Sequence, residues 1–226
     1  VLHAGVGILA VALIFWLAVA FPVAVGTHIE NFEQPMDEAQ AARIDFEMIG
    51  GRVALTNGAA NDQLMVGTAT LPRFSTLSST YTEPVDGTSS LKLNVESSNN
   101  LLAGDQTAYT FDFKVNPRLP LDMRAELVIG ELKLYLRNTL TTNLETELAL
   151  GSQVITIPCM DRLDVEVDQA LGFVTVNIPR GCNVTIHLDN ALVNTNLPAG
   201  WQRVGDVVTN PNVSAGAGKV EIRIGV

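Results

Sequence analysis

Apolar and polar residues alternate along most of this chain, and between Leu121 and Pro198 the alternation repeats at a fixed interval. Lines of 21 residues begin at Leu121, Thr142, Leu163 and Val184, and no gap is needed to keep them aligned. A fixed period of this length is typical of a solenoid, in which each unit buries its apolar face against its neighbours. The repeat therefore predicts a stack of similar units.

Within each line, two alternating runs flank a glycine. The aligned positions are Met123, Leu144, Val165 and Ile186; Ala125, Thr146, Val167 and Leu188; Gly130, Gly151 and Gly172, with Val193 in the fourth line; Leu134, Ile155 and Val176; and Leu136, Ile157 and Ile178. Because alternation puts every second side chain on one face of a strand, each unit is predicted to be a strand, a glycine corner, a second strand and a turn. The alternative is an antiparallel meander with accidental spacing, but the gap-free lines favour a parallel β-solenoid.

Four segments carry a resemblance to a known family: Leu119–Asp122, Glu126–Leu132, Leu171–Val176 and Ile178-Pro179. They are similar to the toastrack domains of bacterial membrane-anchored envelope proteins, which include the C-terminal domain of LiaF-type antibiotic-response proteins and an adhesin family. The resemblance runs from about Ala41 to Val226 and implies an all-β, single-domain β-solenoid without a catalytic motif. Val193 in the glycine column and the two cysteines depart from the family pattern.

The start of the chain has an uncharged stretch, Ala4–Val25, followed by a polar and acidic one, Thr27–Gln40. A helix of the 22 uncharged residues spans about 33 Å, enough to cross the hydrocarbon core of a bilayer. A cleaved signal peptide is the alternative, but the run is long for one and no Lys or Arg precedes it. We therefore predict a transmembrane helix over residues 1–26, an acidic linker over 27–40 and the β-solenoid domain over 41–226. Arg73–Ser90, rich in Ser, Thr, Pro and Gly, is predicted to be a loop.

The chain has two cysteines, Cys159 and Cys182. In the 21-residue frame Cys182 lies one coil on from Cys159 and two residues along. Neighbouring coils are about 4.8 Å apart, so a modest loop shift brings the Cα atoms within disulfide range. We predict a disulfide in an exported domain, with two buried free thiols as the alternative. The sequence contains no Cys-X-X-Cys motif or Cys/His cluster, so a zinc site is not expected.

Small residues in the uncharged stretch would let the predicted helix pack closely on another membrane helix. They are Gly5, Gly7, Ala10, Ala12 and Ala18, although alanines facing lipid would give the same pattern. The first Lys or Arg of the chain is Arg43, so the positive-inside rule, which compares these residues on the two flanks of a membrane helix, gives little information on orientation. The acidic flank that follows the helix, together with the predicted disulfide, indicates that the large domain lies outside the cytoplasm.

Acidic residues fall in outward-facing columns, and the most complete column contains Glu126, Glu147, Asp168 and Asp189. Stacked carboxylates repel one another, so a cation such as Ca²⁺ could bridge a pair. A solvated acidic face is favoured instead, because no calcium-loop spacing is present. The formal net charge of −10 argues against nucleic acid and anionic lipid as partners.

Other candidate chemistry is sparse. The chain has three histidines and neither a G-x-S-x-G nor an H-E-x-x-H pattern, so we expect no catalytic residues and no cofactor. Phe173 and Trp201 are candidate interface anchors. The plainer interpretation of each is an aromatic ring partly covered by a neighbouring loop.

These features favour a single-pass protein of the bacterial cytoplasmic membrane with its β-domain on the extracytoplasmic side. The functional hypothesis is a non-enzymatic scaffold or accessory subunit, whose partners are the lipid bilayer and other subunits of a larger membrane complex, for example a respiratory or photosynthetic one. The resemblance implies an alternative, a cell-envelope stress sensor or regulator of the LiaF-like type. A third hypothesis, a lectin-like or hydrolytic enzyme using the acidic columns, has the least support.

Overall fold

The computed structural model describes residues 26–97, 109–189, 199–210 and 219–225 of the chain. These residues form strands and turns and contain no helix. In chain order the strands are β1 (Thr27–Pro35), β2 (Ala41–Asn57), β3 (Gln63–Pro72), β4 (Ser75–Val85), β5 (Thr88–Ser97), β6 (Thr110–Val115), β7 (Pro120–Tyr135), β8 (Leu140–Thr156), β9 (Arg162–Asn177), β10 (Asn183–Leu188), β11 (Gln202–Val204), β12 (Val207–Thr209) and β13 (Lys219–Gly225). They belong to one hydrogen-bonded sheet, which confirms the all-β prediction.

Strands β2, β7, β8 and β9 form the centre of the sheet, where they lie side by side and parallel. Strands β7, β8 and β9 keep the predicted 21-residue register, so that Leu134, Ile155 and Val176 are neighbours. The register shifts by one residue at the start of β7, between Leu121 and Asp122. A stack of parallel rungs is therefore confirmed for these strands, and the antiparallel alternative is wrong there.

Each central strand turns a corner at a glycine. Gly51, Gly130, Gly151 and Gly172 lie opposite one another on successive strands, with φ angles of +111°, +142°, +143° and +136°. L side chains rarely adopt such angles, and a Cβ added at Gly151 would overlap the carbonyl oxygen of Gly130. The sequence predicted two separate strands per unit, whereas the structure has one continuous strand whose two arms meet at the glycine.

The inward-facing side chains of both arms pack into one apolar cluster. Its fully buried members include Ile44, Met123 and Leu144 from the first arms and Leu55, Leu134 and Ile155 from the second. At the β2 end, Phe113 stacks with Phe46 and Phe111 at centroid distances of 6.0 and 6.2 Å. Each large apolar side chain buried in this way contributes about 1.5–3 kcal/mol, so the cluster is the main source of stability.

The two arms of β2 have different neighbours on the side away from β7. Residues Ala41–Glu47 pair in parallel with β5, and residues Arg52–Asn57 pair in parallel with β6. Strand β4 folds back on β5 as a hairpin, while β3 and β1 extend the sheet from β6 in antiparallel order. These strands close the N-terminal end of the stack.

Two predictions about this end are wrong. Thr27–Gln40 is not a linker, because Thr27–Pro35 forms β1 at the edge of the sheet. Arg73–Ser90 is not a loop, because it contains β4 and the start of β5. Few side chains of β1 and β4 are buried, so both strands can be polar in composition and be held by backbone hydrogen bonds.

The last described strand enters the sheet between β9 and β10. Val220 of β13 lies opposite Leu163 of β9 on one side and Val184 of β10 on the other. The repeat predicted that the line from Val184 would lie directly beside the line from Leu163, and this is wrong. Strands β10 and β13 bury the same alternating Val and Ile positions, so the pattern of either one fits beside β9.

Within the ranges that the structure describes, no helix is long and apolar enough to cross a membrane. The predicted transmembrane helix, with its packing residues Gly5, Gly7, Ala10, Ala12 and Ala18, lies outside those ranges and stays a prediction. Val193, the break in the glycine column, also lies outside them.

Candidate functional site

The outer face of the first arms carries a column of carboxylates. Glu47, Glu126, Glu147 and Asp168 lie opposite one another on β2, β7, β8 and β9. The sequence placed Asp189 next to Asp168, which is wrong, because Gly225 of the intervening β13 lies opposite Asp168. Glu47 was missed because β2 precedes the regular lines, although its alternation with buried neighbours was visible in the sequence.

Basic side chains offset part of this acidic charge. Lys92 of β5 forms an ion pair with Glu47, and Arg124 lies 2.6 Å from Glu126 and 3.5 Å from Glu145. Within the described ranges, no group of three or more His, Cys, Asp and Glu side chains is arranged to hold a metal ion. The arrangement is that of a solvated acidic face whose carboxylates are partly neutralised by lysine and arginine.

Glu131, on the outer face of the second arms, lies between two cations. Its carboxylate oxygens are 2.9 Å from Arg52 Nε and 2.7 Å from Lys133 Nζ. The hydrogen bond from Lys133 is the main reason that the pKa of Glu131 lies below its ordinary value, and partial burial opposes the shift. Because this carboxylate is held in its charged form, it is poorly suited to proton transfer near neutral pH. The three residues act as a structural ion-pair network.

Cys159 and Cys182 form a disulfide with a Cα–Cα distance of 5.7 Å, as the sequence predicted. Cys159 lies in the loop after β8, and Cys182 lies buried in the loop after β9. The bridge joins these two loops even though β13 separates β9 from β10 farther along the rungs.

The two candidate interface aromatics differ in environment. The side chain of Phe173 is 80% exposed on β9, just after the corner at Gly172. Trp201 is partly buried and packs against the apolar cluster. The geometry therefore leaves Phe173 available to a partner, whereas much of the Trp201 side chain is occupied within the domain.

A shallow groove follows the outside of the glycine corner across β2, β7 and β8, with a volume of about 360 Å³, and Asn94 and Val95 of the neighbouring β5 also line it. We define this corner groove by its acidic residues Glu47, Glu126 and Glu147 and its apolar residues Ile49, Val128 and Ala149. Each apolar residue follows an acidic one by two positions on the same strand, so an acidic row and an apolar row lie side by side. The sequence signal that was missed is the break in alternation at Met48-Ile49 and Leu127–Ile129, where apolar residues are consecutive.

Three pairs of residues could suggest catalysis; two of them form partly exposed His–Glu contacts, and the third lies on opposite faces of one strand. The Nε2 atoms of His28 and His187 lie 2.9 Å from Glu30 and 3.3 Å from Glu221, in partly exposed pairs. Ser89 and Lys92 have the S-x-x-K spacing of some serine acyl-enzymes. Ser89 is buried, however, and Lys92 is exposed and pairs with Glu47, so the two side chains point to opposite faces of β5.

The fold of this chain is also found in a solved structure. A "putative cell adhesion protein" from Clostridium sporogenes superposes with a TM-score of 0.73 at 20% identity, covering 89% of this chain and 96% of that one. A "putative adhesin" from Bacteroides fragilis gives a TM-score of 0.25 at 8% identity, covering 91% of this chain and 99% of that one, and carries no further argument. At these identities the first likeness establishes a shared fold and nothing about activity.

No curated protein matches the sequence. A family model described as the N-terminal domain of toast_rack, DUF2154, matches residues 24–178. The matched region runs from just before β1 to just after β9, and so includes all four glycine-cornered strands. The resemblance found in the sequence is thereby confirmed, and the chain belongs to the toast_rack N-terminal domain family, DUF2154.

Proposed function

We propose that this protein is a non-enzymatic scaffold or accessory subunit, anchored in the bacterial cytoplasmic membrane, whose β-domain lies outside the cytoplasm and docks onto a larger membrane complex. The observation that carries the proposal is the in-register stack of β2, β7, β8 and β9. Such a stack is a rigid surface whose side chains have fixed spacing, which suits the binding of a partner better than the rearrangements of a catalytic cycle.

Two further features support the proposed location. The Cys159–Cys182 disulfide is typical of proteins that fold in an oxidising compartment, outside the bacterial cytoplasm. The uncharged Ala4–Val25 stretch has the length and composition of a membrane-spanning helix. Together they support a domain held at the outer surface of the cytoplasmic membrane.

Purification from native membranes tests the proposal. The tagged full-length chain is extracted in a mild detergent and its mass is measured on a native gel and by mass photometry. We expect a species far heavier than the 24.2 kDa chain plus its micelle, which a strong detergent dissociates. Migration as a free monomer in the mild detergent would contradict the proposal.

The resemblance to LiaF-type envelope proteins supports a second candidate, an envelope stress sensor or regulator. That function predicts a changed response to cell-wall antibiotics on deletion of the gene, with membrane complexes left intact. The scaffold function predicts the opposite: deletion lowers the amount or activity of one membrane complex before any antibiotic is added. Measuring both in the same deletion strain separates the two candidates.

A further inference from the structure

The apolar row of the corner groove is exposed at positions where a strand usually presents polar side chains to water. Val128 is 55% exposed and Ile49 is 38% exposed. Their strands are neighbours, since Met48 lies opposite Leu127 and Leu127 lies opposite Leu148. The row therefore continues over three rungs spaced about 4.8 Å apart. A contiguous apolar strip of this kind is typical of an interaction surface, whereas isolated exposed apolar residues are common everywhere.

The acidic row beside it restricts which partner can cover the strip. Glu47 and Glu126 are partly neutralised by Lys92 and Arg124, and Glu147 is exposed next to them. A second copy of this chain docking through the same face would bring its own carboxylates against this row and would be repelled, as would an anionic lipid surface. The acidic row therefore favours a partner that carries positive charge.

We propose that the corner groove binds an extended segment of a partner protein in which lysine or arginine residues flank aliphatic ones. The aliphatic side chains cover the strip at Ile49, Val128 and Ala149, and the cationic groups meet Glu126 and Glu147. A groove of about 360 Å³ accommodates a few side chains, which suits a peptide segment better than a folded surface. This inference deepens the proposed scaffold function and rests on it, because it names the surface through which the scaffold docks.

Peptide binding to the full-length chain in detergent micelles tests the inference. The probe is a short fluorescein-labelled peptide of alternating lysine and valine, followed by fluorescence anisotropy. We expect saturable binding that the double substitution Glu126→Gln and Glu147→Gln weakens about tenfold, since two cation–carboxylate contacts are lost. Val128→Thr, which keeps the shape of the side chain, also weakens binding by making the strip polar.

The matched control changes the same charge elsewhere. Glu38 and Asp62 are exposed in turns and do not line the groove, so Glu38→Gln with Asp62→Asn leaves binding unchanged. Because Glu126 pairs with Arg124, circular dichroism checks the fold of each variant, and Glu147→Gln alone serves as a second variant that leaves this ion pair intact. Equal weakening by the groove and control substitutions would overturn the inference, because it would indicate general attraction to an acidic protein.

Three other results would also overturn it. They are no binding to the unmodified chain, equal binding of a peptide in which serine replaces valine, and a dimer of the chain that Val128→Thr dissociates. The native-membrane purification separates this failure from that of the scaffold function. If the Glu126→Gln and Glu147→Gln chain still migrates in a large complex, the scaffold function stands and the groove is not its docking surface.

Discussion

At the residue scale, two independent constraints require glycine at each corner. Gly130 and Gly151 have φ angles of +142° and +143°, which strain any residue with a Cβ. Neighbouring rungs also approach so closely that a Cβ at Gly130 would overlap the carbonyl oxygen of Gly51, and one at Gly172 would overlap that of Gly151. Each corner therefore depends on the glycine of the next rung as well as on its own.

Gly151→Ala tests this dependence in the middle of the stack. We expect it to lower the free energy of unfolding by about 3 kcal/mol, because the added Cβ strains φ and displaces the Gly130 carbonyl. The matched control is Gly205→Ala, where φ is +62° and no atom lies within 4 Å of the added Cβ. Backbone strain alone should cost the control about 1 kcal/mol.

Urea unfolding of the full-length chain, followed by circular dichroism, gives both values. An equal loss of stability in Gly151→Ala and Gly205→Ala would contradict the close packing of the corner column.

The residues that form columns could largely be predicted from the sequence, because a 21-residue period without gaps fixes which positions are opposite one another. The column members contributed by β2, Gly51 and Glu47, could not be found in this way. Strands β3 to β6 lie between β2 and β7 in the chain, so the period is interrupted there. The corner groove was missed partly for the same reason, since β2 and β5 supply some of its lining, and partly because the break in alternation at Leu127–Ile129 was overlooked.

At the element scale, the central stack of β2, β7, β8 and β9 has different neighbouring strands at its two ends. Strands β5 and β6 cover the two arms of β2 separately, and β13 covers only the first arm of β9. Backbone hydrogen bonds, which carry no side-chain signature, hold the polar strands β1 and β4. Alternation in the sequence predicts that a segment is a strand, but it does not identify the neighbouring strand. This is why β10 was predicted to lie directly beside β9, and why Thr27–Pro35 was mistaken for a linker.

The disulfide stabilises the C-terminal end of the stack by joining two of its loops. Cys159 and Cys182 are 23 residues apart in sequence. Closing a loop of that length lowers the entropy of the unfolded chain, which raises the free energy of unfolding by about 3 kcal/mol. We expect a reductant to lower the free energy of unfolding of the unmodified chain by about that amount. The double variant Cys159→Ala with Cys182→Ala is the control, and the reductant should leave its stability unchanged.

Comparing each protein with and without reductant cancels the packing lost when Cys182, which is fully buried, becomes alanine. If reduction leaves the stability of the unmodified chain unchanged, the bridge is absent or contributes nothing.

At the scale of the whole molecule, the chain is acidic, and its described residues form one sheet whose central rungs repeat one shape. From the formal net charge of −10 we expect weak binding to nucleic acid and anionic lipid, and a preference for partners with basic surfaces. The rungs place the acidic column and the apolar row of the corner groove at a fixed spacing. Both the proposed scaffold function and the docking surface depend on the order of these rungs.

Cysteine cross-linking measures that order directly. In the Cys159→Ala with Cys182→Ala background, pairs of cysteines replace the outward-facing residues Ala54, Lys133, Val154 and Thr175, which lie opposite one another on successive rungs. Pairs on adjacent rungs, about 4.8 Å apart, should form disulfides on mild oxidation, whereas Ala54→Cys with Val154→Cys and Lys133→Cys with Thr175→Cys, two rungs apart at about 9.6 Å, should not. Efficient cross-linking of the two-rung pairs, or none between adjacent rungs, would contradict the stack.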